Sequence, residues 1–291
     1  MKFGSVYYEA SPRIAVPVDS ENVAILGRSG DGCPNRISEV IGAWSHSRSR
    51  FSAVLADAPV VKMDRLTWLP PVSAETKVIS VVFDKAPNGE PRTTVLMKST
   101  SSLVGHLGAV CIKSWYGRVS PRPALAVVVG ASYSAGTTGH VPIFGYTVMN
   151  DIMAPGMRSA GRSEKAPGKP CVANHDIEIS ALSNSVDTFG PLGPFITVDD
   201  LDVDLRQVAV ISSIDGRECS RWSTCELPVS MSSILQSLSA VVRLDPGDIV
   251  AFSMNDGRFD RGRGEDLAEA CGDVRVGIEN LCTLVNPVRR C

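Results

Sequence analysis

The chain has 291 residues, 44% hydrophobic and 21% charged, with a formal net charge of −2 and a pI of about 6.1. This is enough apolar sequence for a buried core, and it excludes a disordered chain. The near-neutral balance argues against nucleic-acid binding, which usually shows a basic stripe or a domain pI above about 9.

The densest basic stretch, Arg258, Arg261 and Arg263, is interrupted by Asp256, Asp260, Glu265 and Asp266 and reads as a solvated loop. The longest strongly apolar run, Ala124 to Ala131, is far short of the ~20 residues of a membrane helix. Met1-Lys2-Phe3-Gly4 leads into polar sequence without the apolar core of a signal peptide. The expected location is cytoplasmic, with neither membrane nor nucleic acid as partner.

Residues 1–70 read as a small N-terminal domain. Ser5–Tyr8 and Arg13–Val18 have strand character, and Ile37, Val40, Ile41 and Trp44 recur at helical spacing behind Asn35, a candidate N-cap. Leu69-Pro70-Pro71-Val72 marks a boundary, and residues 71–291 form the main domain. Its strand candidates are Val78–Phe83, Thr93–Lys98, Leu125–Gly130, Tyr146–Met149 and Val208–Ser213. Pro155 to Asn174 is a long polar stretch of the kind that forms lids or binding loops. After Ser230, an amphipathic helix places Met231, Ile234, Leu235, Leu238, Val241 and Val242 on one face. Leu244 to Asp248 then turns into the strand Ile249–Phe252. Many strands with few helices indicate an α+β, mainly β domain.

The cysteines at 33, 111, 171, 219, 225, 271, 282 and 291 contain no Cys-x-x-Cys pair, so no zinc site is expected. In a reducing compartment most would serve as small buried hydrophobes, with Cys291 exposed. No Gly-x-Ser-x-Gly elbow occurs, and Gly27 to Gly32 lacks the Lys-Ser/Thr ending of a phosphate loop.

Six strings, in order, resemble the fumarylacetoacetate hydrolase family: Ser101-Ser102-Leu103-Val104-Gly105, Leu125 to Gly130, Gly145 to Asp151, Asp187 to Pro194, Leu244 to Asp248, and Leu281 to Val288. The resemblance implies a mixed β-sandwich roll or barrel with a small N-terminal domain, usually a homodimer. Family members act on β-diketones and 2-oxo acids, with a divalent metal gripping adjacent substrate oxygens.

The departures from the family pattern fall on the chemistry. The Glu-x-Glu pair expected before the Leu125 strand is replaced by Arg122 and Ala124, while the third metal carboxylate persists as Asp151. Asn88 stands where the family has a catalytic-type His, and Asn184 where it has a Lys. Phe252-Ser253-Met254-Asn255 replaces a Thr-Gly-Thr-Pro loop. No metal and no other cofactor are therefore expected.

The catalytic candidates are Asp151 as general base, Arg122 as a fixed cation standing in for a metal, and His106 for acid–base work. Lys98, Ser101, Asn88, Tyr146, Asn184 and Met254 are the substrate-binding candidates that the resemblance implies. Each also has a structural reading: Arg122 as mere partner to Asp151, Asp151 as a turn cap, His106 as a core histidine, Lys98 as a surface lysine. His175 is a further candidate on the expected lid, whereas His46 and His140 look inert.

The expected activity is that of a metal-independent enzyme acting on a small enolisable carbonyl substrate (a β-diketone, tetronate-like compound or 2-oxo acid). It would be an isomerase, cyclase or lyase in specialised biosynthesis. Two alternatives stand beside it: a metal-dependent hydrolase or decarboxylase, and a non-catalytic pseudoenzyme that binds a ligand or partner.

Overall fold

The computed structural model describes every residue except 28–29, 31, 74, 85–91, 158–181, 199–204 and 256–265. Asn88, His175, the 258–263 arginines and all but the first three residues of the 155–174 stretch thus lie outside the described residues.

The chain opens with β1 (Lys2–Tyr8), β2 (Ser11–Pro17), β3 (Asn22–Leu26), α1 (Ile37–Leu55), β4 (Val60–Lys62) and β5 (Thr67–Leu69). There follow β6 (Val78–Asp84), β7 (Arg92–Lys98), β8 (Leu103–Val104), β9 (Val110–Ile112), β10 (Pro123–Val129) and β11 (Ile143–Asn150). The last part holds β12 (Gly190–Pro191), β13 (Phe195–Val198), β14 (Ala209–Ile214), β15 (Arg217–Ser223), α2 (Met231–Ser239), β16 (Ile249–Asn255), β17 (Asp273–Ile278) and β18 (Cys282–Arg290).

Among the described residues, one sheet runs β4-β3-β2-β1-β13-β11-β10-β16-β6-β7, with β5 also on β1; a second runs β15-β14-β17-β18-β9. The larger sheet ends on β4 and β7 rather than closing, so the architecture is a sandwich roll and not a closed barrel. The N-terminal strands share this sheet with the main domain through the β1–β13 pairing.

β10 is the centre of the molecule, with all seven residues buried. Leu125, Val127 and Val129 face one core, where they meet Val210, Trp222, Val276 and Leu284 of the second sheet. Ala124, Ala126 and Val128 face another core, which includes Ile37, Val40, Ile41 and Phe51 of α1. A strand covered on both faces reads as a continuous apolar run, and each buried Val or Leu is worth about 1.5–3 kcal/mol.

Two local readings are corrected. The N-cap of α1 is Arg36, with no side-chain cap, while the Asn35 amide donates to Glu39 Oε2 at 3.3 Å. Val241 lies past the end of α2 and is 85% exposed, so it is not part of the buried face. The turn before β16 forms as expected: Asp248 accepts from the amides of Lys77 and Asp245 and pairs with the Lys77 ammonium at 2.7 Å.

Candidate active site

The β10–β11 register sets Pro123 opposite Asn150, so the residues just beyond, Arg122 and Asp151, meet at the ends of two hydrogen-bonded strands. The Asp151 amide donates to the Arg122 carbonyl at 2.8 Å, and the Arg122 amide to Asn150 Oδ1 at 3.1 Å. The Arg122 side chain then folds over Asp151. Its Nε donates to the Asp151 carbonyl at 2.9 Å, and Nη2 lies 2.7 Å from Oδ2. Nη2 also donates to Asn184 Oδ1.

Lys98, the last residue of β7, reaches the same carboxylate, with Nζ 3.1 Å from Asp151 Oδ1. It also donates to the carbonyls of Ile152 and Phe189, each at 3.1 Å, and to that of Asn184. Three carbonyls and a carboxylate thus surround a group with three N–H donors. This binds the 182–189 segment to β7 and to the end of β11.

Lys98, Arg122, Asp151 and Asn184 are all buried. Two cations and one anion leave a formal charge of about +1, where Arg122 and Asp151 alone would sum to zero. Burial pushes the Lys98 ammonium down to about 8; the negative charge of Asp151 resists the fall and the positive charge of Arg122 adds to it.

Donor and acceptor capacity remains. Nη1 of Arg122 makes no hydrogen bond among the described residues. Asn150 Nδ2, Asn184 Nδ2, Ser120 Oγ and Ser253 Oγ are buried without a hydrogen-bond partner, although such atoms are normally satisfied. The Asp151 oxygens contact their two cations as ion pairs without hydrogen-bond geometry, so both retain acceptor capacity.

This donor set does not fit a hard divalent metal. Such an ion needs several oxygen ligands, and here a single carboxylate is bracketed by two cations. Ala124 supplies no ligand, and no group of three or more His, Cys, Asp or Glu placed to hold a metal occurs among the described residues.

The structure thus brings together Asp151, Arg122, Asn184 and Lys98. Ser101 lies next to them in an exposed turn, its Oγ 2.7 Å from that of Ser99, whose amide donates to Ser185 Oγ. Tyr146 and Met254 belong instead to the core between the sheets.

The described contacts of His106 are elsewhere. It packs edge-on against Trp68, with ring centroids 5.5 Å apart, and its Nδ1 accepts from the Val285 amide at 3.1 Å. Burial pushes its pKa down to about 4, so it is neutral near pH 7. His140 is exposed beside Ser232, and His46 is exposed on α1. Sequence reasoning passed over Asn150 and Ser253, although both lay inside quoted strings, and over Ser120, which lay outside them.

A family model described as fumarylacetoacetate (FAA) hydrolase C-terminal matches residues 74–289. The mitochondrial oxaloacetate tautomerase FAHD2A of Bos taurus is 24% identical over 245 residues, covering 81% of this chain and 74% of the relative. A 4-hydroxyphenylacetate degradation bifunctional isomerase/decarboxylase of Salmonella dublin is 26% identical over 211 residues, 71% of this chain and 42% of the relative. The crystal structure of maleylpyruvate hydrolase from Sphingobium sp. SYK-6 superposes with a TM-score of 0.75 over the whole of both chains, at 19% identity.

Proposed function

The chain belongs to the fumarylacetoacetate hydrolase family, and from that premise we propose that it is an enzyme that acts on an enolisable carbonyl compound without a catalytic metal. The observation that carries this is the buried Lys98–Asp151–Arg122 array, whose net positive charge lies where the family resemblance places a dication. The reaction class is isomerase, cyclase or lyase, and the replacement pattern suits a specialised biosynthetic role. A homodimer is part of the same reading.

In this mechanism the Nη1 of Arg122 and the amide donors of Asn150 and Asn184 hold the substrate oxygen. Charge that develops there on enolisation is stabilised by the fixed guanidinium rather than by a Lewis acid. An Asp151 oxygen takes the α-proton and returns it at a second position. Charged Lys98 keeps the cluster at +1, so the rate falls as the pH rises through about 8 and that ammonium titrates.

The test follows enol–keto interconversion of a simple 2-oxo acid such as oxaloacetate, with chelator-treated protein. The expected result is activity unaffected by EDTA. Arg122→Ala should lower it about 10²–10³-fold and Asp151→Asn about 10²–10⁴-fold. Loss with EDTA and recovery with Mg²⁺ would instead establish the metal-dependent alternative. The complete enclosure of Lys98 favours a second reading, a pseudoenzyme in which the array is structural. Saturable 2-oxo acid binding without turnover would establish that one.

A further inference from the structure

Apart from the site, one cluster of nucleophilic groups has no role in the chemistry above. β18 pairs with β9 in parallel, with Arg289 opposite Cys111, and the Cys291 amide continues the ladder by donating to the Ile112 carbonyl at 3.2 Å. Residues two apart on a strand share a face, so Cys111 and Cys291 project from the same side of neighbouring strands. The two thiols are neighbours, near enough for Cys291 to act on the titration of Cys111. Cys111 is half-buried, Cys291 is exposed, and both are free.

The neighbouring Cys291 thiol, together with burial, holds the Cys111 thiol above its usual pKa, and the positive charges of Arg289 and Lys113 offset this only in part; the buried phenol of Tyr116 feels both sulfurs. We propose that Cys111 and Cys291 form a reversible intramolecular disulfide, a redox modification site on this chain. The oxidant is a low-molecular-weight disulfide. The exposed Cys291 thiolate attacks one of its sulfurs and releases one small thiol. The Cys111 thiolate then attacks the Cys291 sulfur of the mixed disulfide and releases the second. Two protein thiols are oxidised, one small disulfide is reduced to two thiols, and two protons leave the protein thiols and are carried off by the small ones.

The Cα atoms of a bridge lie about 4.4–6.8 Å apart, whereas diagonal neighbours on adjacent strands are about 7–8 Å apart. Closure therefore draws in Cys291, which lies beyond the end of β18.

The bond would form beside the segment that holds the active-site array. The Cys111 amide donates to Thr188 Oγ1 at 2.9 Å, and Tyr116 packs edge-on against Phe189, whose carbonyl binds Lys98.

The test incubates the native full-length protein with excess oxidised glutathione, quenches in acid and maps the peptides by mass spectrometry. The expected product is a peptide pair joining Cys111 to Cys291, reopened by dithiothreitol. Cys111→Ser should leave a stable glutathione adduct on Cys291. Cys291→Ser alters only an exposed position and should leave Cys111 unbridged. Glutathione adducts on the wild-type thiols without the cross-link would overturn the proposal, as would a bridge from either cysteine to another partner.

Discussion

At the residue scale, Arg122, Asp151 and Asn184 could be singled out from short motifs, because a replaced residue inside a recognisable string is visible in the chain itself. Lys98 is a candidate from the family resemblance, but its pairing with Asp151 was not legible, since the two are 53 positions apart and meet only once β7 and β11 are both in place. The nine-residue 98–106 stretch shows the same limit from the other side. Lys98, plausible as a surface lysine, is buried in the array, whereas His106, plausible as an acid or base, hydrogen-bonds the backbone of β18.

That role of His106 has a measurable consequence. Its folded pKa of about 4 lies below the usual value of 6.5, so between those values the unfolded chain binds more protons than the native one. Stability is therefore lost as the pH falls through this window, by about 3 kcal/mol in full. Replacing His106 with Gln should flatten the pH dependence of the urea midpoint over the same range; an unchanged slope would assign the acid sensitivity to other groups.

At the scale of the element, the long apolar strands were readable because β6, β10, β11 and β16 are runs of branched residues between turn formers. Short strands such as β4, β8 and β12 carry two or three residues each and no period to detect. The extra length of α1, out to Leu55, comes from tertiary support: Phe51 packs against Phe3 at 5.4 Å, beyond a polar Ser/Arg stretch that breaks the apolar pattern.

Glycines separate the two kinds of constraint. A Cβ on Gly145 of β11 would lie 2.3 Å from the Thr197 carbonyl oxygen of β13, whereas one on Gly42 of α1 would meet nothing within 4 Å. Gly145→Ala should destabilise the fold by about 2–3 kcal/mol. Gly42→Ala should stabilise it by about 0.5–1 kcal/mol, through helix propensity alone. Denaturant midpoints of the two variants on either side of wild type would be the expected outcome; equal shifts would not be.

For the whole molecule, composition and strand density indicated a mainly β fold, and the family strings gave its architecture. The composition could not reveal that residues 1–70 join the main sheet, because a β1–β13 pairing links positions nearly 200 apart. Among the described residues β7 is an edge strand of the larger sheet, with Val95 47% and Met97 54% exposed. Unprotected edges bearing apolar side chains invite pairing with another chain. Light scattering at micromolar concentration should return twice the 31.0 kDa chain mass, and Val95→Lys with Met97→Lys should shift it towards one; a wild-type monomer would count against the dimer.

β10 serves two interiors at once, with Leu125, Val127 and Val129 turned to the second sheet and Ala124, Ala126 and Val128 to α1. A slip of one residue in its pairing would exchange the two sets and carry the Arg122 guanidinium towards the apolar layer. In a saturation-mutagenesis map, 122–129 should therefore form an unbroken intolerant block without the every-other-residue tolerance of a surface strand. Natural variation that retunes the chemistry has correspondingly little room here and more in the segments that merely lean on this strand.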